Sequence, residues 1–77
     1  MNLMTSSPLH QLTRRQREVL RVLQRCRWRY AEAAQQLEMP VESVRTTVSR
    51  AMIRAKVEDS RELAYWLGVE DGPAGVL

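Results

Sequence analysis

Between Pro40 and Lys56 the apolar residues Val44, Val48, Ala51 and Ala55 recur at i, i+4, i+7 and i+11, with Val41 and Met52 at the margins. That spacing makes one narrow helical stripe, whereas a strand would alternate at every second residue. Proline disfavours a helical residue before it and fits the first helical position, so a helix is predicted from Pro40 to about Lys56. Opposite the stripe lie Ser43, Thr46, Thr47, Arg50 and Arg54, a face of short hydroxyls and forked donors. Glu42, in the first turn, is assigned to the positive end of the helix dipole. On that assignment the outer face carries no acid.

The flanking segments keep the helical period. Thr13-Arg-Arg-Gln16 fits a capping box and opens a first helix running to about Cys26. Val19, Leu20, Leu23 and Cys26 share one side of it, and Arg14, Arg17, Arg21 and Arg25 line the other. Arg27-Trp28-Arg29 interrupts the pattern before a short second helix, Tyr30 to Leu37, whose inward positions are Tyr30, Ala33, Ala34 and Leu37. Asp59-Ser-Arg-Glu62 is a second capping-box candidate, opening a fourth helix that is predicted to stop at Gly68. No strand-like alternation and no repeat interrupts the series, so the chain is expected to be all-α. Residues 1–11 are expected to be a flexible lead-in, with Leu9 and Leu12 the first candidates for burial. Residues 12–68 are the expected domain, and 69–77 a flexible acidic tail.

Charge is segregated along the 77 residues. Residues 1–29 carry seven arginines against Glu18, for +6; residues 30–57 sum to +1; residues 58–77 carry Arg61 against five acids, for −4. A basic body on a small domain suits a polyanionic partner, above all nucleic acid. No apolar run approaches the ~20 residues of a membrane span. The first seven residues have neither a basic leader nor a long apolar stretch, so a cytoplasmic location is expected. Cys26 and His10 are single, too few for a disulfide within the chain or a zinc site. Neither a phosphate-binding glycine loop nor a plausible Ser/His/Asp set is present, and no enzymatic activity, metal or cofactor is expected.

Two helices joined by a short break, the second with a basic and hydroxylic face, form the arrangement of a helix-turn-helix DNA reader. An α-helix fits the B-DNA major groove, where arginine forks onto guanine and threonine methyls meet thymine. Arginines outside the groove add attraction that is blind to sequence.

The stretches Leu12-Thr-Arg-Arg-Gln-Arg-Glu-Val-Leu20, Tyr30-Ala-Glu-Ala-Ala and Met39-Pro-Val-Glu-Ser-Val-Arg-Thr-Thr-Val-Ser-Arg-Ala51 resemble region 4 of extracytoplasmic-function sigma factors. They also resemble the LuxR-type (GerE-like) helix-turn-helix domain. The likeness covers about residues 12–67. Pro-Val-x-Ser-Val-Arg and Ser-Arg-Ala are closer to the sigma pattern, and Arg61-Glu-Leu-Ala to the LuxR pattern. The resemblance implies a small four-helix domain with its recognition helix at Pro40 to Lys56. It sets Ser43 on the family threonine, Arg45 on the family lysine, and Thr46, Thr47 and Arg50 on variable positions that face bases or phosphates. Three positions depart from it. Arg27-Trp28-Arg29 stands for a Gly-x-Ser turn, Ala33 for isoleucine, and Thr47 for the histidine of LuxR-type recognition helices.

The function expected from these residues is a sequence-specific regulator of transcription that binds double-stranded DNA. Ser43, Thr46, Thr47 and Arg50 are the base-reading candidates, and Arg14, Arg17, Arg21, Arg27, Arg29, Arg45 and Arg54 the phosphate candidates. The alternative is a small sigma-like protein that binds RNA polymerase, at its flap, or mimics a sigma factor. A homodimer is expected through the fourth helix, where Leu63, Tyr65, Trp66 and Leu67 offer more apolar surface than so short a helix needs.

Overall fold

The computed structural model describes the backbone of residues 7–76 and the side chains of residues 7–70. Four α-helices follow a short 3-10 turn at Pro8–Gln11: α1 (Arg14–Arg25), α2 (Tyr30–Leu37), α3 (Val41–Ala55) and α4 (Ser60–Val76). The described residues contain no strand, as the periodicity requires.

The capping box at the start of α1 forms as predicted. The Thr13 hydroxyl accepts from the Gln16 amide at 3.0 Å, and Gln16 Oε1 accepts from the Thr13 amide at 3.0 Å. Pro40 serves α3 one position earlier than expected, as the residue before the first helical one, with φ −65° and ψ 149°. At the start of α4 the Asp59 carboxylate accepts from the Glu62 amide at 3.1 Å, whereas Glu62 reaches back to the Glu58 amide at 3.2 Å. The reciprocal pair expected there is therefore displaced by one residue.

One core joins all four helices. Val19, Leu20, Leu23 and Cys26 of the first segment meet Ala33 and Ala34 of α2, the stripe Val44, Val48, Ala51 and Ala55 of α3, and Leu63 and Leu67 of α4. Val22 joins them, which the wheel of α1 had left out. Tyr30 and Leu37 are half-buried at the margin. The alanines of α2 and α3 leave room for close approach of the helix axes, which larger side chains would hold apart.

The packed unit begins earlier than residue 12. Leu9, within the segment expected as a lead-in, is 0% exposed, and Leu12, the first residue of the expected domain, is buried; both were candidates for burial. The Ser7 hydroxyl accepts from the Leu9 amide at 3.0 Å. Two guanidiniums hold the turn from outside: Arg17 Nη1 donates to the Leu9 carbonyl at 2.7 Å, and Arg54 Nε to the Gln11 carbonyl at 2.6 Å. Residues 1–6 of that expected lead-in lie outside the described residues. The other end also differs, because α4 passes through Gly68 to Val76. Gly68 has no left-handed backbone, so nothing turns the helix there, and the extension places Glu70 2.9 Å from Arg17. Leu77, the last residue of the expected tail, lies outside the described residues.

Three helices end without the glycine that a left-handed terminus favours. Arg27, Glu38 and Lys56 have φ of 56°, 57° and 59°. In each case the next amide bonds five residues back: Trp28 to Leu23 at 2.7 Å, Met39 to Ala34 at 3.0 Å and Val57 to Met52 at 3.1 Å. These are Schellman ends, which satisfy carbonyls the helix leaves unpaired. Trp28 is left-handed as well, φ 59°, and its indole nitrogen donates to Gln24 Oε1 at 2.8 Å. The turn at Arg27-Trp28-Arg29 thus takes a left-handed path and is held by the Trp28–Gln24 hydrogen bond. A side chain at such φ costs more than glycine's extra chain entropy, so Glu38→Gly and Lys56→Gly should each stabilise the fold by about 0.5–1 kcal/mol. A rise in the urea midpoint at unchanged m would show it.

Candidate nucleic-acid interface

The apolar edge of α3 is sealed in the core, so its opposite edge faces outward. Thr46 and Arg50 are exposed, and Ser43 and Thr47 are half-buried beside them. All four line one shallow depression. The structure therefore brings the base-reading candidates together on one face. The Thr47 hydroxyl donates to the Ser43 carbonyl at 2.8 Å, one turn back. Its proton is committed to the helix, and what it presents outward is a methyl group and oxygen lone pairs.

Glu42 lines the same depression and is exposed. The expectation of an acid-free face is thereby corrected: Glu42, Thr46, Arg50 and Ile53 fall at i, i+4, i+8 and i+11, so the helical period carries the acid outward with them. Ile53 is 76% exposed, and with Arg50, Arg54 and Gln16 of α1 it lines a second, more apolar depression. The helical period, with steps of three and four residues, would have found both.

The phosphate candidates separate into three groups. Arg17 and Arg54 are spent within the chain. Arg17, 28% exposed at its side chain, holds Leu9 and Glu70, and Arg54 holds Gln11. Arg45 is exposed and lies over the Tyr30 ring, 5.1 Å from its centroid, which fixes it between α3 and the start of α2. Arg15, which was not among the candidates, lies by the turn into α3, with Nη2 3.7 Å from the Met39 sulfur and Nη1 3.1 Å from Glu18. Arg14, Arg21, Arg27 and Arg29 are exposed on the outer side of α1 and at the α1–α2 corner. Arg21 is 3.8 Å from Glu70, and Arg29 3.8 Å from Glu32.

Two of the four residues expected at a dimer interface are in the core. Leu63 is 0% and Leu67 1% exposed, because the α4 stripe that carries them closes over α1 and the N-terminal turn. Gln24 of α1 marks the seam, its amide donating to the Ala64 carbonyl at 3.4 Å. Tyr65 is exposed and Trp66 half-buried, their rings in edge-to-face contact at 5.3 Å.

Among the described residues no helix is long and apolar enough to cross a membrane. No curated protein and no solved structure was found to match the chain. The family model described as sigma-70, region 4 matches residues 9–54, from the buried Leu9 to the end of the α3 face. That match supports the sigma side of the resemblance and gives nothing for the LuxR side. The matched stretch takes in the whole of α1, α2 and the turn into α3, with the four base-reading candidates, and the chain belongs to the sigma-70 region 4 family, a helix-turn-helix family of transcription.

Proposed function

We propose that this chain is a sequence-specific regulator of transcription that acts in the cytoplasm, reading double-stranded DNA with the outer face of α3 in the major groove and catalysing no reaction. The observation that carries this reading is the free edge of α3. Glu42, Thr46 and Arg50 stand exposed over one depression, with Ser43 and Thr47 beside them, while the opposite edge is closed. Arg50 supplies the fork for guanine, Glu42 an acceptor for cytosine and the threonines methyl contacts for thymine. Arg45, over the Tyr30 ring, and Arg15, beside Met39 at the turn into α3, supply cations for phosphates, which set the register of the helix and carry no sequence information.

Binding to a duplex should fall with salt at a slope of about −0.9 for each phosphate neutralised. Selection from a random duplex library, beside a pull-down of RNA polymerase, tests the reading directly. A shared sequence among the selected duplexes supports it, and capture of polymerase with no duplex preference refutes it.

Ile53 favours a second reading. An isoleucine on the outer face of α3, next to Arg50, Arg54 and Gln16, suits an apolar side chain of a protein better than a phosphodiester. On this reading the same face docks RNA polymerase, and the chain modulates transcription as a sigma-like module.

A further inference from the structure

We propose that the outer face of α1 is a second interaction surface, made by Arg14, Arg21 and Arg25 with Arg27 at its end, that docks an acidic segment of another protein. The first ground is direction. Gln16 of α1 faces α3, sharing a depression with Arg50, Ile53 and Arg54. At about 100° per residue, Arg14, Arg21 and Arg25 lie about 140–180° around α1 from Gln16. The arginine edge therefore points away from α3, and the depressions on the two faces share no residue.

The second ground is continuity. One depression is lined by Arg14, Arg17, Glu18, Arg21, Val22 and Arg25, and its neighbour by Arg25, Arg27 and Arg29 among others. Arg25 belongs to both, so the basic band runs the length of α1, about 18 Å at 1.5 Å per residue, and ends at the α1–α2 corner, where Glu32 of α2 lies 3.8 Å from Arg29. Arg14, Arg25 and Arg27 are exposed and form no ion pair among the described residues.

The third ground is what already occupies the edge of the band. Glu70, presented by a helix, sets one carboxylate oxygen 2.9 Å from Arg17 and 3.8 Å from Arg21. The band thus accepts a carboxylate carried on a helix, and the rest of its arginines repeat that offer along α1. Val22 adds an apolar floor, which a peptide side chain can use and a phosphodiester backbone cannot. These features favour an acidic protein segment over a second nucleic acid.

The test is a titration of the isotope-labelled full chain with two probes, a short glutamate-rich helical peptide and a DNA duplex, followed by amide shifts. The peptide should move residues 14–27, leave 42–50 in place and bind as well with duplex present as without. Arg14→Gln/Arg21→Gln/Arg25→Gln should lower peptide affinity roughly tenfold, as the loss of a few exposed ion pairs predicts, and leave the salt slope for duplex unchanged. Arg14→Gln/Arg25→Gln, which spares the contact with Glu70, should show the same direction if the triple variant fails to fold. Peptide that moves residues 42–50, competition between peptide and duplex, or no saturable peptide binding would overturn the proposal. So would a salt slope for duplex that becomes shallower by about 0.9 per arginine removed, the mark of a phosphate contact. A chain that binds the peptide at residues 14–27 but no duplex would refute DNA reading by α3 and support the second surface.

Discussion

Leu63→Ala is expected to lower the free energy of unfolding by about 2–5 kcal/mol, the cost of deleting a buried leucine and leaving a cavity. Leu63 is wholly enclosed, in one core with Leu9, Leu20, Leu23 and Leu67. Such a loss is a large fraction of the whole stability, which is of order 5–15 kcal/mol for globular proteins generally. Urea unfolding followed by circular dichroism measures it, and the midpoint should not depend on protein concentration. The alternative, Leu63 as part of a dimer patch, predicts the opposite pattern. Stability would then change little in dilute solution and association would weaken. Tyr65→Ala, two residues along α4 from Leu63 and 62% exposed, is the matched control and should move stability by no more than about 0.5 kcal/mol.

The second large effect belongs to Arg50→Ala. If the guanidinium forks onto a guanine, its loss costs about 1–3 kcal/mol of specific binding, roughly five- to 150-fold in affinity. Arg50 is exposed and enters no ion pair among the described residues, so the fold should be unaffected and the loss should appear in binding alone. Measured on a selected duplex and on a scrambled one, the effect should be large on the first and small on the second. An equal loss on both would mark Arg50 as a phosphate contact and move base reading to Glu42 and the threonines. Arg54→Ala has a different signature, because Arg54 holds the Gln11 carbonyl. Its effect belongs to stability as much as to DNA.

Those two residues show where a one-dimensional pattern is sufficient and where it is not. Val44, Val48, Ala51 and Ala55 were legible because helical period, cap and break all pointed to one helix, and the side turned inward follows from apolar spacing alone. Thr46 and Arg50 follow as its complement. Glu42 was legible by the same spacing but was assigned to the helix dipole. A first-turn acid can serve both roles at once.

Periodicity says that Leu63 and Leu67 share a stripe, and it does not say whether the stripe meets its own chain or a second copy. Arg17, Arg21 and Arg54 likewise read as free cations along the chain. Two of them are tied down because residues 53 and 43 positions away in sequence come to lie against them, Glu70 against Arg17 and Gln11 against Arg54.

The amino-acid sequence by itself determined four helices, the capping box of α1, the buried stripe of α3 and the place of Thr46 and Arg50 on its opposite edge. Each depends on residues within a few positions of one another, where backbone geometry converts spacing directly into a side of a helix. Only the tertiary structure decided which arginines are spent on the fold, that the N-terminal turn packs and α4 continues past Gly68, that α4 closes the core, and that the arginines of α1 face away from α3. Each of those depends on how helices meet in space, which local spacing does not encode.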